Sequence, residues 1–356
     1  MTHHPLDLPD VFRLASGARV HTPQDWVQRR GELRALLLDL VYGPLPPAPT
    51  ATHWDFLHSA GTRSDDARLH GTSLMTGRIR FEGTDAAPFC LQIWLPQGVG
   101  PFSVLLTGDA CWYYATDDVK ARVLARGYAL AMFNRVELAA DPEAQAGWQR
   151  PASGFASHGA IAAWAWGYHR CVDVLRGMEA IRADQIAVVG HSRGGKASVL
   201  AGATDERIAL TSANNSGAAG AGSFHHLGEG AEGLTDIVTA FPHWFGPRLA
   251  DFAGQEASLP LDLHYLKALI APRALLTTEA LGDLWANPHG TRLTYEAARE
   301  VFAWLDAEDR IALHEREGGH AHLLPDWEAL LGFADRIFNK NSQKSASSLH
   351  SLLLNK

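Results

Sequence analysis

Residues 190–195, with the sequence GHSRGG, constrain the fold more than any other segment of this chain. An apolar run at 186–189 precedes them and predicts a strand, and residues 196–201 predict a helix. A strand, a tight G-x-S-x-G turn and a helix form the layout of a nucleophile elbow, whose crowded backbone needs glycine beside the serine. We therefore predict that Ser192 lies at the carboxyl end of a sheet strand with an accessible hydroxyl. A purely structural β–α turn is the alternative interpretation.

The rest of the chain alternates between apolar runs and helical segments. Residues 23–42 and 160–178 predict helices, and a further helix is expected to end at Arg126. Segments 73–81 and 89–95 alternate polar and apolar residues, which predicts antiparallel edge strands or a hairpin. Apolar runs that predict buried strands lie at 102–107, 128–133, 186–189, 207–212, 273–278 and 310–314. With the elbow, this alternation predicts an α/β-hydrolase fold, a mostly parallel central sheet with helices on both faces in a three-layer sandwich.

The chain length is normal for one α/β domain. We expect an irregular N-terminal arm at 1–22 and a single α/β-hydrolase domain at 23–339. Residues 340–356 are polar and serine-rich, then briefly apolar. This change of character predicts a flexible tail or a cloning remnant.

Composition bears on partners and on compartment. The net charge is −8 with no basic block, so we expect neither nucleic acid nor a membrane surface as a partner. No run reaches 18 uninterrupted apolar residues, so no transmembrane helix is expected. The N-terminal segment lacks a basic stretch followed by an apolar one. This predicts a cytoplasmic protein, or a secreted or periplasmic one whose leader was removed.

The cysteines and histidines argue against a metal site. Cys90, Cys111 and Cys171 form no C-x-x-C pair and are expected as free thiols, with one disulfide plus one free thiol as the alternative. The adjacent histidine pairs have no helical partner four residues away. We therefore expect no metal and no organic cofactor.

A serine nucleophile needs a histidine base, and the base needs an acid that orients it. In α/β-hydrolases the acid and then the histidine follow the serine along the chain. His320 follows the last predicted strand and is the expected base, with His322 as its rival, whereas His314 lies on that strand and is expected to pack. Asp283 follows the preceding strand and is the expected acid, with Glu279 as the alternative.

Arg193 comes directly after the serine. Its guanidinium can donate a hydrogen bond to a developing oxyanion, beside its own backbone N–H. A surface ion pair is the alternative role.

Several blocks, in this order, resemble the glucuronoyl esterases among the carbohydrate esterases, in their bacterial branch. The resemblance covers roughly residues 23–337. The blocks are RRGELRALLLDLVYGPLPP at 29–47, HGAIAAWAWGYHRCVDVL at 158–175, GHSRGGKA at 190–197, FPHWF at 241–245, LKALIAPRALL at 266–276, DLWANPHG at 283–290 and GGHAHLLPDW at 318–327.

The resemblance implies Ser192 as nucleophile, Arg193 as oxyanion donor and His320 as base. It also implies a substrate-binding set that contacts hydroxyl groups of a glucuronate ring, consisting of Lys196, Glu232 and Trp285. From the residues alone, the favoured interpretations are a solvated helix residue for Lys196, a core aromatic for Trp285, and a surface charge for Glu232, with Glu229 as a contender.

One position departs from the family pattern. Many members carry a glutamate as triad acid just after the strand that follows the elbow helix, and this chain has Asn215 there. An amide cannot stabilise an imidazolium as a carboxylate can. The acid is therefore expected at Asp283.

These observations favour a serine hydrolase of carboxylic esters, which cleaves uronic acid esters through a Ser-His-Asp triad and an acyl-enzyme. The expected partner is a small-molecule or carbohydrate ester, and the oligomeric state stays open. An acetylxylan esterase or short-chain carboxylesterase is the alternative. A non-catalytic hydrolase-like binding protein is a third hypothesis, which Asn215 keeps open.

Overall fold

A computed structural model describes residues 8–62, 66–141 and 158–353, with side chains through Phe338. Nine strands of these residues form one sheet in the order β1-β2-β3-β5-β4-β6-β7-β8-β9. The strands are β1 Ala51–Gly61, β2 Ser73–Glu82, β3 Phe89–Leu95, β4 Phe102–Thr107, β5 Ala129–Phe133, β6 Ile181–His191, β7 Leu210–Asn214, β8 Ala274–Ala280 and β9 Ile311–Arg316.

Six neighbouring strands, from β5 to β9 through β4, are parallel, and β1, β2 and β3 add an antiparallel edge. The predicted mostly parallel sheet is confirmed, and β2 and β3 pair as the antiparallel hairpin that was the alternative to edge strands, because β1 lies outside them. The sequence analysis missed β1, whose residues are half-buried or exposed along its whole length. An edge strand gains its order from backbone pairing with one neighbour, so it leaves no alternating apolar pattern to recognise.

Helices cover both faces of the sheet, as predicted. Val104 and Val188 belong to the core on one face, whereas their strand neighbours Leu105 and Val189 belong to the core on the other. Helices α2 and α8 cover the second face, and most of the others cover the first. The helices are α1 Pro23–Leu37, α2 Asp117–Ala125, α3 Ala160–Arg176, α4 Arg193–Thr204, α5 Leu234–Ala240, α6 His264–Ala268, α7 Pro288–Trp304 and α8 Leu324–Leu353. None of the helices in the described ranges is long and apolar enough to cross a membrane.

Helix α1 begins at a capping box. The Thr22 hydroxyl accepts from the Asp25 N–H at 3.1 Å, and the Asp25 carboxylate accepts from the Thr22 N–H at 2.9 Å. A π-helical turn, Leu38–Tyr42, continues the helix, so the two together cover the predicted segment.

The N-terminal and C-terminal segments have different backbone structures. Residues 8–22 form no helix or strand, yet Leu8, Val11 and Val20 are buried against the core. At the other end α8 continues through Leu353, so the backbone of residues 340–353 is helical. The predicted arm and tail also include residues 1–7 and 354–356, which lie outside the described residues. The domain boundaries stay a prediction.

Candidate functional site

Ser192 lies between the end of β6 and the start of α4, at φ 55° and ψ −123°. This left-handed conformation is strained for a residue with a side chain, and strain of this kind is concentrated at functional sites. A Cβ on Gly190 would overlap the Gly194 carbonyl, and a Cβ on Gly194 would overlap the carboxylate of Asp109. The turn therefore requires both glycines, and its geometry is that of a nucleophile elbow.

Two hydrogen bonds join the serine, the histidine and the aspartate. The Nε2 atom of His320 lies 3.0 Å from the Ser192 hydroxyl oxygen. The Nδ1 atom of His320 lies 2.5 Å from a carboxylate oxygen of Asp283. The structure thus brings together three residues that are separated by up to 128 positions in the chain.

Asp283 is buried and accepts more than one hydrogen bond. The side-chain amide of Asn215 donates to the same carboxylate oxygen as His320, at 2.6 Å. Burial by itself raises the pKa of Asp283, but the hydrogen bonds from His320, Asn215 and the Ala286 backbone outweigh it and hold the pKa below its ordinary value. The carboxylate is therefore ionised where it faces the imidazole.

The rival acid and the rival base point elsewhere. Glu279 is fully buried on β8, where it accepts from Thr291 at 3.1 Å, and burial raises its pKa to about 8. His322 is buried against Trp327, with ring centroids 4.6 Å apart, and burial holds its pKa well below the ordinary value. Neither environment provides a base or an acid at the Ser192 hydroxyl.

The ring of His191 lies beneath that of His320, with centroids 4.6 Å apart. Its Nδ1 atom is 2.5 Å from the side-chain oxygen Oδ1 of Asn214, and the side-chain nitrogen Nδ2 of Asn214 donates to Thr278. This amide orientation puts the hydrogen on Nδ1 of His191. Burial lowers the pKa of His191 to about 3, so it is a neutral support for His320. The sequence analysis assigned no role to this histidine.

Arg193 has partners that the sequence analysis did not identify. Its Nη1 atom donates to both carboxylate oxygens of Asp141, at 3.0 and 2.9 Å. The guanidinium also faces three aromatic rings, with centroid distances of 5.5 Å to Trp112, 5.3 Å to Phe241 and 4.8 Å to Trp244. The ion pair is largely buried, so it differs from the surface ion pair that was the alternative.

The partners of Arg193 differ in how far the sequence alone identifies them. Phe241 and Trp244 are stacked with centroids 3.9 Å apart, and both belong to the FPHWF block, which identified the segment but not its partner. Asp141 lies in an irregular stretch without a recognisable motif. Only the folded chain shows that it meets Arg193.

The three residues expected to bind sugar hydroxyls are neighbours. The ammonium group of Lys196 donates to the carbonyls of Ser216 and Ala218 at 2.7 and 2.6 Å, and lies 3.7 Å from Glu232. Burial lowers the pKa of Lys196 and raises that of Glu232. Trp285 is 54% exposed, and its backbone carbonyl accepts from the Glu232 N–H at 3.0 Å. Lys196 is thus no solvated helix residue, Glu232 no surface charge and Trp285 no core aromatic.

One cavity of about 340 Å³ unites the site. It opens at the carboxyl ends of the parallel strands, where ligands bind in sheets of this type. Glu229 is not among its lining residues. All seven residues predicted for the site line it: Ser192, Arg193, Lys196, Glu232, Asp283, Trp285 and His320. Within the described part of the chain, no cluster of three or more histidine, cysteine, aspartate or glutamate side chains could hold a metal ion.

Comparison with known proteins gives a consistent result. The family model described as "Glucuronyl esterase, fungi" matches residues 81–306. A carbohydrate esterase from an unknown prokaryotic organism is 30% identical over 92% of this chain and 89% of its own length. A 4-O-methyl-glucuronoyl methylesterase from Podospora anserina is 31% identical over 88% of this chain, which spans 63% of that relative. The solved structure of a carbohydrate esterase family 15 glucuronoyl esterase from Caldicellulosiruptor kristjansonii superposes with a TM-score of 0.78, at 29% identity, over 92% of this chain and 89% of that one.

Proposed function

Since this chain belongs to the glucuronoyl esterase family and is a carboxylic ester hydrolase, we propose that it cleaves esters of 4-O-methyl-glucuronate and related uronic acids, with Ser192 as nucleophile. One observation carries the proposal. A continuous hydrogen-bond chain from Ser192 through His320 to Asp283 lines the same cavity as a buried lysine–glutamate pair. The hypothesis of a non-catalytic binding protein is set aside.

The reaction begins when the Ser192 oxygen attacks the ester carbonyl carbon. Its proton passes to Nε2 of His320, and Asp283 stabilises the resulting imidazolium through Nδ1. When the tetrahedral intermediate collapses, the leaving alcohol takes the proton from Nε2 and the acyl chain stays on Ser192. Water then attacks this acyl-enzyme and gives a proton to His320. The second collapse releases the uronic acid and returns the proton to Ser192.

Arg193 is the proposed oxyanion donor. Negative charge develops on the carbonyl oxygen in each tetrahedral intermediate, and donors held in advance at that position lower the barrier. Ser192 lies at the N-terminus of α4, a helix of 12 residues, so backbone N–H groups of its first turn add a favourable dipole. Asp141 and the aromatic rings hold the guanidinium beside this turn.

Lys196, Glu232 and Trp285 are proposed to bind the sugar ring. An ammonium group donates hydrogen bonds and a carboxylate accepts them, so the pair can bind neighbouring hydroxyl groups of one ring. The exposed face of Trp285 offers an apolar surface for the sugar. Such a set would favour a uronate over a simple acyl group.

A substrate panel on two proteins tests the proposal. We expect wild-type enzyme to hydrolyse methyl glucuronate faster than acetylated xylan or nitrophenyl acetate. We expect Ser192→Ala to lose at least about three orders of magnitude in kcat, because triad nucleophiles contribute on that scale. Rapid turnover of acetate esters with methyl glucuronate ignored would instead support the acetylxylan or short-chain esterase hypothesis. Near-normal activity of Ser192→Ala, folded as judged by circular dichroism, would exclude Ser192 as nucleophile.

A further inference from the structure

The charged groups around the cavity occur in opposite pairs. Arg193 is paired with Asp141, and Lys196 lies 3.7 Å from Glu232. The Lys196–Glu232 pair has no net charge, whether the proton lies on the lysine nitrogen or on the glutamate oxygen. Asp283 is a further carboxylate, hydrogen-bonded to His320. With His320 neutral, these groups comprise two cations and three carboxylates. The described residues around the cavity therefore carry one more carboxylate than cations, even though they include an arginine and a lysine.

The proposed substrate and its product differ in charge at the reacting carbon. The ester carbonyl is neutral, whereas the released acid is a carboxylate anion at neutral pH. A guanidinium binds a carboxylate through strong, charge-assisted hydrogen bonds. An uncompensated Arg193 would therefore hold the product more tightly than the substrate and slow its release.

Asp141 is placed to prevent this. Both of its oxygens accept from Nη1 of Arg193, and its side chain is 0% exposed against 16% for the arginine. The rings of Trp112, Phe241 and Trp244 face the same guanidinium and limit access of water to it. Solvent and salt screen a buried charge weakly, so the Asp141 charge acts on Arg193 at nearly full strength.

We propose that Asp141 is a counter-charge that promotes release of the acid product from this site. It offsets the charge of Arg193 and so lowers the affinity for a carboxylate, while the guanidinium stays in position for the oxyanion. Asp141 does not line the cavity and acts through Arg193, so it is a positioning and charge-balancing residue rather than a catalytic one. The inference rests on the proposed function, because it requires an acid product.

The experiment compares two inhibitors of similar size, one charged and one neutral: methyl glucuronoside as the free acid and as its carboxamide. Each inhibition constant is measured for wild type, for Asp141→Asn and for the control Asp55→Asn. The asparagine oxygen can still accept from Arg193, so the substitution removes the charge and preserves a contact. The control removes a carboxylate from an exposed ion pair with Arg80 on the edge strands β1 and β2.

We expect Asp141→Asn to bind the acid about tenfold more tightly, with little change for the amide, because one opposing charge near the carboxylate is lost. Asp55→Asn should match wild type for both compounds. An unchanged acid-to-amide ratio in Asp141→Asn would overturn the inference and reduce Asp141 to a structural anchor for Arg193. Both inhibition constants rising together would overturn it in the same way.

Two further measurements keep the outcomes separate. Turnover of methyl glucuronate by wild type is measured first, and its absence would refute the proposed function rather than the role of Asp141. If Asp141→Asn fails to fold, the wild-type ratio still decides. The inference expects wild type to bind the amide at least as tightly as the acid, and a tenfold preference for the acid would overturn it.

Discussion

At the scale of single residues, Asn215 explains how an amide serves at a position where the family resemblance leads one to expect a carboxylate. Its Oδ1 atom accepts from the Ala280 N–H at 3.2 Å, which fixes the orientation of the amide. Its Nδ2 atom is then directed at Asp283, at 2.6 Å. Asn215 thus holds the acid in place and favours its ionised form.

Removing the carboxylate at position 283 should lower kcat far more than adding a carboxylate at position 215. Asp283→Asn removes the carboxylate that orients His320, and we expect kcat to fall by up to about four orders of magnitude. Asn215→Asp keeps Asp283 and should cost much less. The test is kcat of both variants on methyl glucuronate, and the reverse ranking would move the acid to another residue.

Asn215→Asp also has an expected effect on the pH profile. A second carboxylate near the imidazole of His320 stabilises the protonated form of this base. Since the base must be neutral to accept a proton, the acidic limb of the kcat/KM profile should move to higher pH. A limb that stays in place or moves to lower pH would contradict this role for position 215.

At the scale of elements, the junction of β6 with α4 requires a glycine at position 194, where a side chain would have no space. Gly194 lies against Asp109, whose carboxylate also accepts from the His191 N–H at 2.8 Å and pairs with buried Arg135. A methyl group at this position would displace that carboxylate and, with it, the backbone that precedes Ser192.

We therefore expect Gly194→Ala to lower both Tm and kcat. The matched control is Gly31→Ala in α1, where an added Cβ meets no atom within 4 Å. That change should leave kcat unaltered and stabilise the protein by about 0.4–1 kcal/mol, because alanine restricts the unfolded chain and favours helix. Thermal unfolding and activity assays check both variants, and a Gly194→Ala enzyme as stable and active as wild type would contradict the steric argument.

The elements that the sequence predicted correctly are those with a strong apolar pattern. Strand β5 and residues 104–107 of β4 and 186–190 of β6 are buried, and they appear as largely apolar runs. Strand β7 begins at Leu210, three residues later than predicted, because Arg207 forms ion pairs with Asp205 and Asp173 before the strand begins. The short helices α5 and α6 were not predicted, since a segment of five to seven residues is too short to show helical periodicity.

At the scale of the whole molecule, the site is predictable where it follows from strand order and unpredictable where it follows from loops. Ser192, Asn215, Asp283 and His320 come after β6, β7, β8 and β9, which are adjacent and parallel. Their carboxyl ends meet at one edge, so chain order alone indicates that the four residues converge. The contact of Asp141 with Arg193 depends on irregular backbone, for which sequence periodicity gives no rule.

Global stability should depend on a buried acid that takes no part in the proposed reaction. Burial raises the pKa of Glu279 from its ordinary value of 4.5 to about 8. The folded state therefore binds a proton that the unfolded state releases between those values, and stability falls as pH rises from about 5 to 8. Lys267, whose pKa burial lowers to about 7, faces Glu279 and moderates this loss.

Glu279→Gln removes the titrating group and retains an acceptor for Thr291. We expect the stability of this variant relative to wild type to increase between pH 5 and pH 8, by on the order of 2 kcal/mol. Urea unfolding at the two pH values measures the difference, with Glu296→Gln, which removes an exposed helical ion pair, as control. A difference that is independent of pH would mean that Glu279 stays ionised in the folded state.

The placement of one group at the end of each of four neighbouring strands has a consequence for how such a protein can diverge. Each crossover between strands can gain or lose residues without displacing the other three groups, because the ladder between strands fixes their spacing. At the end of β7, Asn215 contacts the same Asp283 oxygen that the imidazole contacts, so a carboxylate after either β7 or β8 would lie close to His320. Single substitutions can therefore move the triad carboxylate from the end of one strand to the end of the next, and the reaction chemistry is preserved if the new carboxylate appears before the old one is lost.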